Sequence, residues 1–192
     1  MEERKARTWF RQILRGVGYI HSRGLCHHDL SPENIVITAD DQAAVVMDFG
    51  MAQRIHTGKE GEAVLVRDSE PFGKCRYMAP EIYRHEEYDG RQTDIWSVGA
   101  SLLVCLWGRY PWEAPTRSPA GSRRGRGALF SSDIYRFGIL EEFGMFELLR
   151  REGLSARLSP EVIDLLCEMV QIDRGLRPHS ADALTQNLFF SR

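Results

Sequence analysis

"GLCHHDLSPENIVIT", residues 24–38, places Asp29 and Asn34 five positions apart around a proline, between a glycine and a β-branched run. Alone, an Asp–Pro–Asn loop is a common turn, because proline presets φ and the polar side chains bond their own backbone. The residues that follow change its meaning. "NIVIT" (34–38) and "AAVVM" (43–47) are short β-branched runs separated by "ADDQ", the pattern of a hairpin. "DFG" (48–50) follows the second run directly, so the strands let Asn34 and Asp48 reach one point in space. Gly50 then allows the backbone to change direction.

Outward from this centre the chain reads as mostly helical. Phe10, Ile13, Leu14, Val17 and Ile20 recur at three- and four-residue steps, which predicts a helix over 3–22 with arginines on another face. Gly24 suits a helix C-terminal cap. Residues 51–76 show no period and predict a long surface loop. "DIWSVGASLLVCLW" (94–107) is apolar almost all round, as in a helix at the centre of a domain. "PTRSPAGSRRGRG" (115–127) looks like a flexible insertion. Further helices are expected over 133–151, from Pro160 with Ser159 as N-cap, and from near Ser180.

The 192 residues suffice for one domain with a core, and 43% hydrophobic with 27% charged residues is ordinary for a globular protein. A net charge of −2 gives no field for nucleic acid, and no apolar run reaches the roughly 20 residues of a membrane span. The charged start "MEERKARTWF" is not a secretory signal. Cys26, Cys75, Cys105 and Cys167 are widely spaced without a CxxC pair, as expected of reduced thiols. A cytoplasmic location is the expectation, with the nucleus left open. Adjacent side chains on an extended segment diverge, which argues against a metal site at His27-His28-Asp29.

Together the motifs resemble a protein kinase catalytic domain. "HHDLSPEN" (27–34) resembles the catalytic loop, "DFG" the metal-binding turn, and "APE" (79–81) the end of the activation segment. "DIWSVG" (94–99) resembles the start of the buried helix of the C-terminal lobe, and "DRGLRP" (173–178) that lobe's closing arginine motif. Each triplet is weak alone; five in order are specific. The resemblance implies ATP and Mg²⁺ as cofactors and a protein substrate. It makes Asp29 the residue that orients the substrate hydroxyl and accepts its proton, and Asn34 and Asp48 the oxygen ligands of Mg²⁺. It sets Val36 beside the nucleotide. It gives His27 and Phe49 a stacked structural role, has Asp94 brace the catalytic-loop backbone, and pairs Glu81 with Arg177 as a buried ion pair. Ser31-Pro32-Glu33 is closer to serine/threonine kinases than to tyrosine kinases.

Three residues depart from the family pattern. His28 stands where an arginine is usual, Ser31 replaces a lysine, and Lys74 in "FGKCRYMAPE" (72–81) replaces a threonine. Only Lys5, Lys59 and Lys74 are lysines, so the gain at 74 beside the loss at 31 suggests that the positive charge has moved and that Lys74 is catalytic. There is no G-x-G-x-x-G loop or V-A-I-K strand before these motifs, since "GVG" (16–18) lies inside a helix. The expected fold is therefore a mainly α kinase-like C-terminal lobe over 1–192, with one small hairpin and the N-terminal lobe absent. An upstream chain would then be a partner. The alternative function is a catalytically inactive interaction module.

Overall fold

The computed structural model describes residues 1–55, 64–66, 73–112 and 131–191. Helix α1, Glu3–Ser22, buries Phe10, Ile13, Leu14, Val17 and Ile20 along one stripe. It ends where Gly24 takes φ +76°, a left-handed conformation that costs glycine little. Glu3 in its first turn reaches across the molecule. Its two carboxylate oxygens accept from the Ser159 N–H at 2.8 Å and the Ser159 hydroxyl at 2.6 Å. Ser159 in turn caps helix α5, Pro160–Met169, so α1 and α5 start from one polar knot.

Helix α3, Gly90–Trp107, begins four residues before its apolar run, because Asp89 supplies the N-cap and accepts from the Arg91 N–H at 3.0 Å. Every residue from Gln92 to Leu103 is buried. A methyl at Gly99 would lie 2.8 Å from Met169, so glycine is what lets α3 and α5 pack closely. Trp96 of α3 and Trp112 meet in the core with ring centroids 5.7 Å apart. The remaining helices are α2 (Pro80–Tyr83), α4 (Ser131–Arg151) and α6 (Ala181–Leu184). Within α4, Gly144 at φ 81° and ψ 178° makes a kink.

The expectation of a single hairpin needs correction: the described residues form two small antiparallel sheets alongside six helices. One is the expected hairpin, β2 (Ile35–Ile37) with β3 (Ala44–Val46), in the register Ile35↔Val46, Val36↔Val45 and Ile37↔Ala44. Ile35, Ala44 and Val46 pack on the core while Val36 and Val45 face outward, as the two-residue strand period requires. Gln12 of α1 ties the hairpin down, accepting from the Ala44 N–H and donating to the Gln42 carbonyl, both at 2.9 Å. The other sheet pairs β1 (Leu25–Cys26) with β4 (Gln53–Arg54). It joins the chain just before the Asp29 loop to the chain just after "DFG". The segment 115–127 and most of the middle of the predicted loop lie outside the described residues.

Candidate functional site

The two short sheets hold the loop from β1 to β2 beside the turn after β3, and the stretch from Gly73 meets that loop through Lys74. Asp29 sits in the first, before a 3₁₀ turn over Pro32–Asn34. Its Oδ2 accepts from the Asn34 amide at 2.7 Å, and the same amide nitrogen donates to the Asp29 carbonyl at 2.7 Å. Two oxygen acceptors on one side fix the amide's orientation, so the Asn34 Oδ1 points away from Asp29. The other Asp29 oxygen, Oδ1, accepts from the Lys74 N–H at 3.2 Å. The carboxylate is therefore gripped from both sides and keeps 15% of its side chain exposed.

The loop backbone is strained and braced. His28 at φ 63° and Asp48 at φ 64° are left-handed residues without glycine's freedom, each costing roughly 1–3 kcal/mol. Asp94, fully buried at the start of α3, holds the first of them. Its oxygens accept from the His27 and His28 N–H groups at 2.8 Å each, and His21 Nε2 lies 2.9 Å from Oδ2. Burial alone would raise the Asp94 pKa; the His21 hydrogen bond, the neighbouring imidazoles and the His27 N–H outweigh it and hold the carboxyl below its usual range. His27 adds a second strut: its Nδ1 accepts from the Asp29 N–H at 3.3 Å, so Nε2 carries the proton given to the Met47 carbonyl at 3.0 Å. The His27 ring meets Phe49 with centroids 5.1 Å apart.

Asp48 ends the hairpin, exposed, with Oδ1 accepting from the Gly50 N–H at 3.2 Å. Val36, Val45 and Met47 form an exposed apolar strip next to it. The Asn34 amide oxygen and the Asp48 carboxylate are hard oxygen donors, the set that suits Mg²⁺. Lys74 arrives from the opposite side. Its Nζ lies 2.7 Å from Ser31 Oγ, 3.5 Å from Asn34 Oδ1, 3.6 Å from Glu33 Oε2 and 3.9 Å from Asp29 Oδ2. Farther off, Glu81 and Arg177 make a two-pronged buried pair at 2.6 and 3.2 Å, with Arg177 also bonding the carbonyls of Gln92 and Gln171.

The sequence-derived residues fall into groups. Asp29, Asn34 and Lys74 are in mutual contact; His27 and Asp94 brace their loop from within, and the exposed Phe49 meets the His27 ring; Asp48 and Gly50 form the adjacent turn; Glu81 and Arg177 stand apart. Gly73 and His21 were not singled out from sequence. Gly73 has φ +86° and its own tertiary neighbour, while His21 meets Asp94 across 73 residues, and no local pattern signals either. His21, Cys26 and Asp94 also converge within 4.8 Å, yet both Asp94 oxygens already accept hydrogen bonds, so this is a structural node. Burial first, then the nearby Asp94 and Asp89 carboxylates, push the Cys26 thiol far up.

Among proteins of known sequence, the protein kinase domain family matches residues 1–190. The serine/threonine-protein kinase CHK1 of Mycosarcoma maydis is 38% identical over 135 residues, 69% of this chain and 19% of that protein. The serine/threonine-protein kinase SRK2C of Arabidopsis thaliana is 39% identical over 118 residues, 59% of this chain and 32% of that protein. The probable kinase MARK-C of Dictyostelium discoideum is 34% identical over 118 residues, 62% of this chain and 14% of that protein. The chain thus spans a third or less of the length of these curated relatives. The match over 1–190 overturns the expectation of a C-terminal lobe with the N-terminal lobe absent. That expectation rested on two motifs not found, and an undetected motif weighs less than continuous similarity along the chain. The chain belongs to the protein kinase domain family.

Proposed function

We propose that this protein is an ATP-dependent protein kinase acting on serine or threonine hydroxyls. The observation behind this reading is the grip on Asp29, held by Asn34 on one side and the Lys74 N–H on the other. A carboxylate so fixed is suited to orient a substrate hydroxyl and take its proton as the new bond forms. Asn34 and Asp48 would hold Mg²⁺, whose charge on the phosphates lowers the barrier to transfer. The apolar strip at Val36 offers a surface for the purine. Asp94 and His27 keep the loop from relaxing, which matters because phosphoryl transfer depends on positioning and fixed charge more than on covalent chemistry. Ser31-Pro32-Glu33 and the similarity to serine/threonine-protein kinases favour serine and threonine over tyrosine.

The test is transfer of labelled γ-phosphate from Mg-ATP to a mixed peptide library, with product residues read by mass spectrometry. Phosphoserine and phosphothreonine are expected, and Asp29→Asn should lower turnover by about a hundredfold or more. Transfer that survives Asp29→Asn, or product confined to tyrosine, overturns the proposal.

A further inference from the structure

The ammonium of Lys74 is better placed than a surface lysine has reason to be. Its main chain is fixed twice: the Lys74 N–H bonds Asp29 Oδ1 at 3.2 Å, and the Tyr77 N–H bonds the Lys74 carbonyl at 2.9 Å. Gly73 sets the approach, since a Cβ there would lie 2.5 Å from the His28 carbonyl oxygen. The side chain then crosses to the Asp29 loop and makes one short bond, 2.7 Å, to Ser31 Oγ. Ser31 is completely buried, so this hydroxyl is a rigid anchor. The contacts to Asn34, Glu33 and Asp29 are longer, 3.5 to 3.9 Å. An ammonium has three protons to give. One is committed to Ser31, and the others point among the oxygens around Asp29 and Asn34.

We propose that Lys74, anchored on Ser31, supplies the fixed positive charge at the transferred phosphoryl group. The proposal rests on the kinase reading above. Negative charge spreads over three equatorial oxygens during transfer, and a preoriented cation at that point favours the transition state. Lys74 is attached to one wall of the site and Ser31 to the other, so the pair is reciprocal: exchanging the two residues returns an ammonium and a hydroxyl to the same gap. A lysine that only neutralised Asp29 and Glu33 would have no such requirement.

The experiment uses the full chain carrying Lys74→Thr, Lys74→Met, Ser31→Lys, or Ser31→Lys with Lys74→Thr. Two readouts are taken: turnover with Mg-ATP, and the affinities for fluorescent ATP and ADP analogues. Lys74→Thr and Lys74→Met should each lower kcat by about tenfold or more, with little change in melting temperature. Both should erase most of the preference for ATP over ADP, since the ammonium is assigned to the terminal phosphate. Ser31→Lys alone places two ammoniums together and should also lose activity, whereas the double exchange should exceed either single variant in both readouts. Wild-type turnover and nucleotide preference in Lys74→Thr overturn this proposal alone. So does a double variant whose losses simply multiply. A wild-type chain that binds neither nucleotide overturns the kinase reading as well.

Discussion

Gly73 and Gly24 both hold positive φ, but only one is crowded. Gly24, at +76°, has nothing within 4 Å of an added Cβ, whereas Gly73, at +86°, faces the His28 carbonyl. Gly24→Ala should therefore cost only the conformational penalty, about 1–2 kcal/mol in a denaturant titration, and leave phosphoryl transfer intact. Gly73→Ala must also push residues 73–74 away from His28 and so lengthen the Lys74 N–H bond to Asp29. Its expected signature is a loss of turnover larger than its loss of stability explains; equal behaviour of the two variants in both assays would refute this. Among single residues, the contact of Asp29 with Asn34 and the place of Asp48 at the hairpin's end were legible because both are local in sequence. The meeting of Lys74 with Ser31 was legible because the lysine gained at 74 coincides with the one lost at 31. Gly73 and His21 were not, because what each meets lies far away in sequence.

At the scale of elements, the buried pair of Glu81 from α2 and Arg177 ties two segments 96 residues apart. Arg177→Met would leave Glu81 buried and unpaired, at an expected cost of about 3–5 kcal/mol in chemical denaturation. Adding Glu81→Leu should restore much of that loss, since two apolar groups need no counter-charge. A double variant no better than the single would show that Arg177 acts instead through the Gln92 and Gln171 carbonyls. Helices α1 and α5 were legible to within a residue or two, from an apolar stripe in the first and a Ser-Pro cap in the second. The sheet of β1 with β4 was not, because two-residue strands have no period to detect. The kink at Gly144 was hidden for the opposite reason: the helical pattern continues on both sides of it.

For the molecule as a whole, Asp94 and Cys26 contribute at opposite ends of the pH dependence of stability. Asp94 has a folded-state pKa below the ordinary value of about 3.9, so the unfolded chain takes up the proton first. Its stabilisation is complete above that value and is lost as pH falls through the lower, folded one. Cys26 is shifted the other way, so its contribution is complete below the ordinary thiol value of about 8.5 and drains away as pH rises beyond it. Melting temperature should therefore fall at both ends, and Cys26→Ala should flatten the alkaline decline relative to wild type. An identical alkaline slope in the two proteins would rule out the thiol as its source. At this scale the motif order was enough to point to the kinase family, while the expectation of a C-terminal lobe alone failed, because it was inferred from motifs not found.

The long reach of Asp94 also orders events in time. The first fifty residues contain Asp29, Asn34 and Asp48, yet the group that shapes their loop lies beyond them, bonded to His27 and His28 across 67 and 66 residues. Such distant contacts form only after the entropy of closing the intervening loop has been met. A folding chain in which residues 1–50 have not yet met residue 94 would thus hold these three side chains without their geometry. The loop takes its shape only once α3 has docked, which makes the docking of that helix a condition for the whole site.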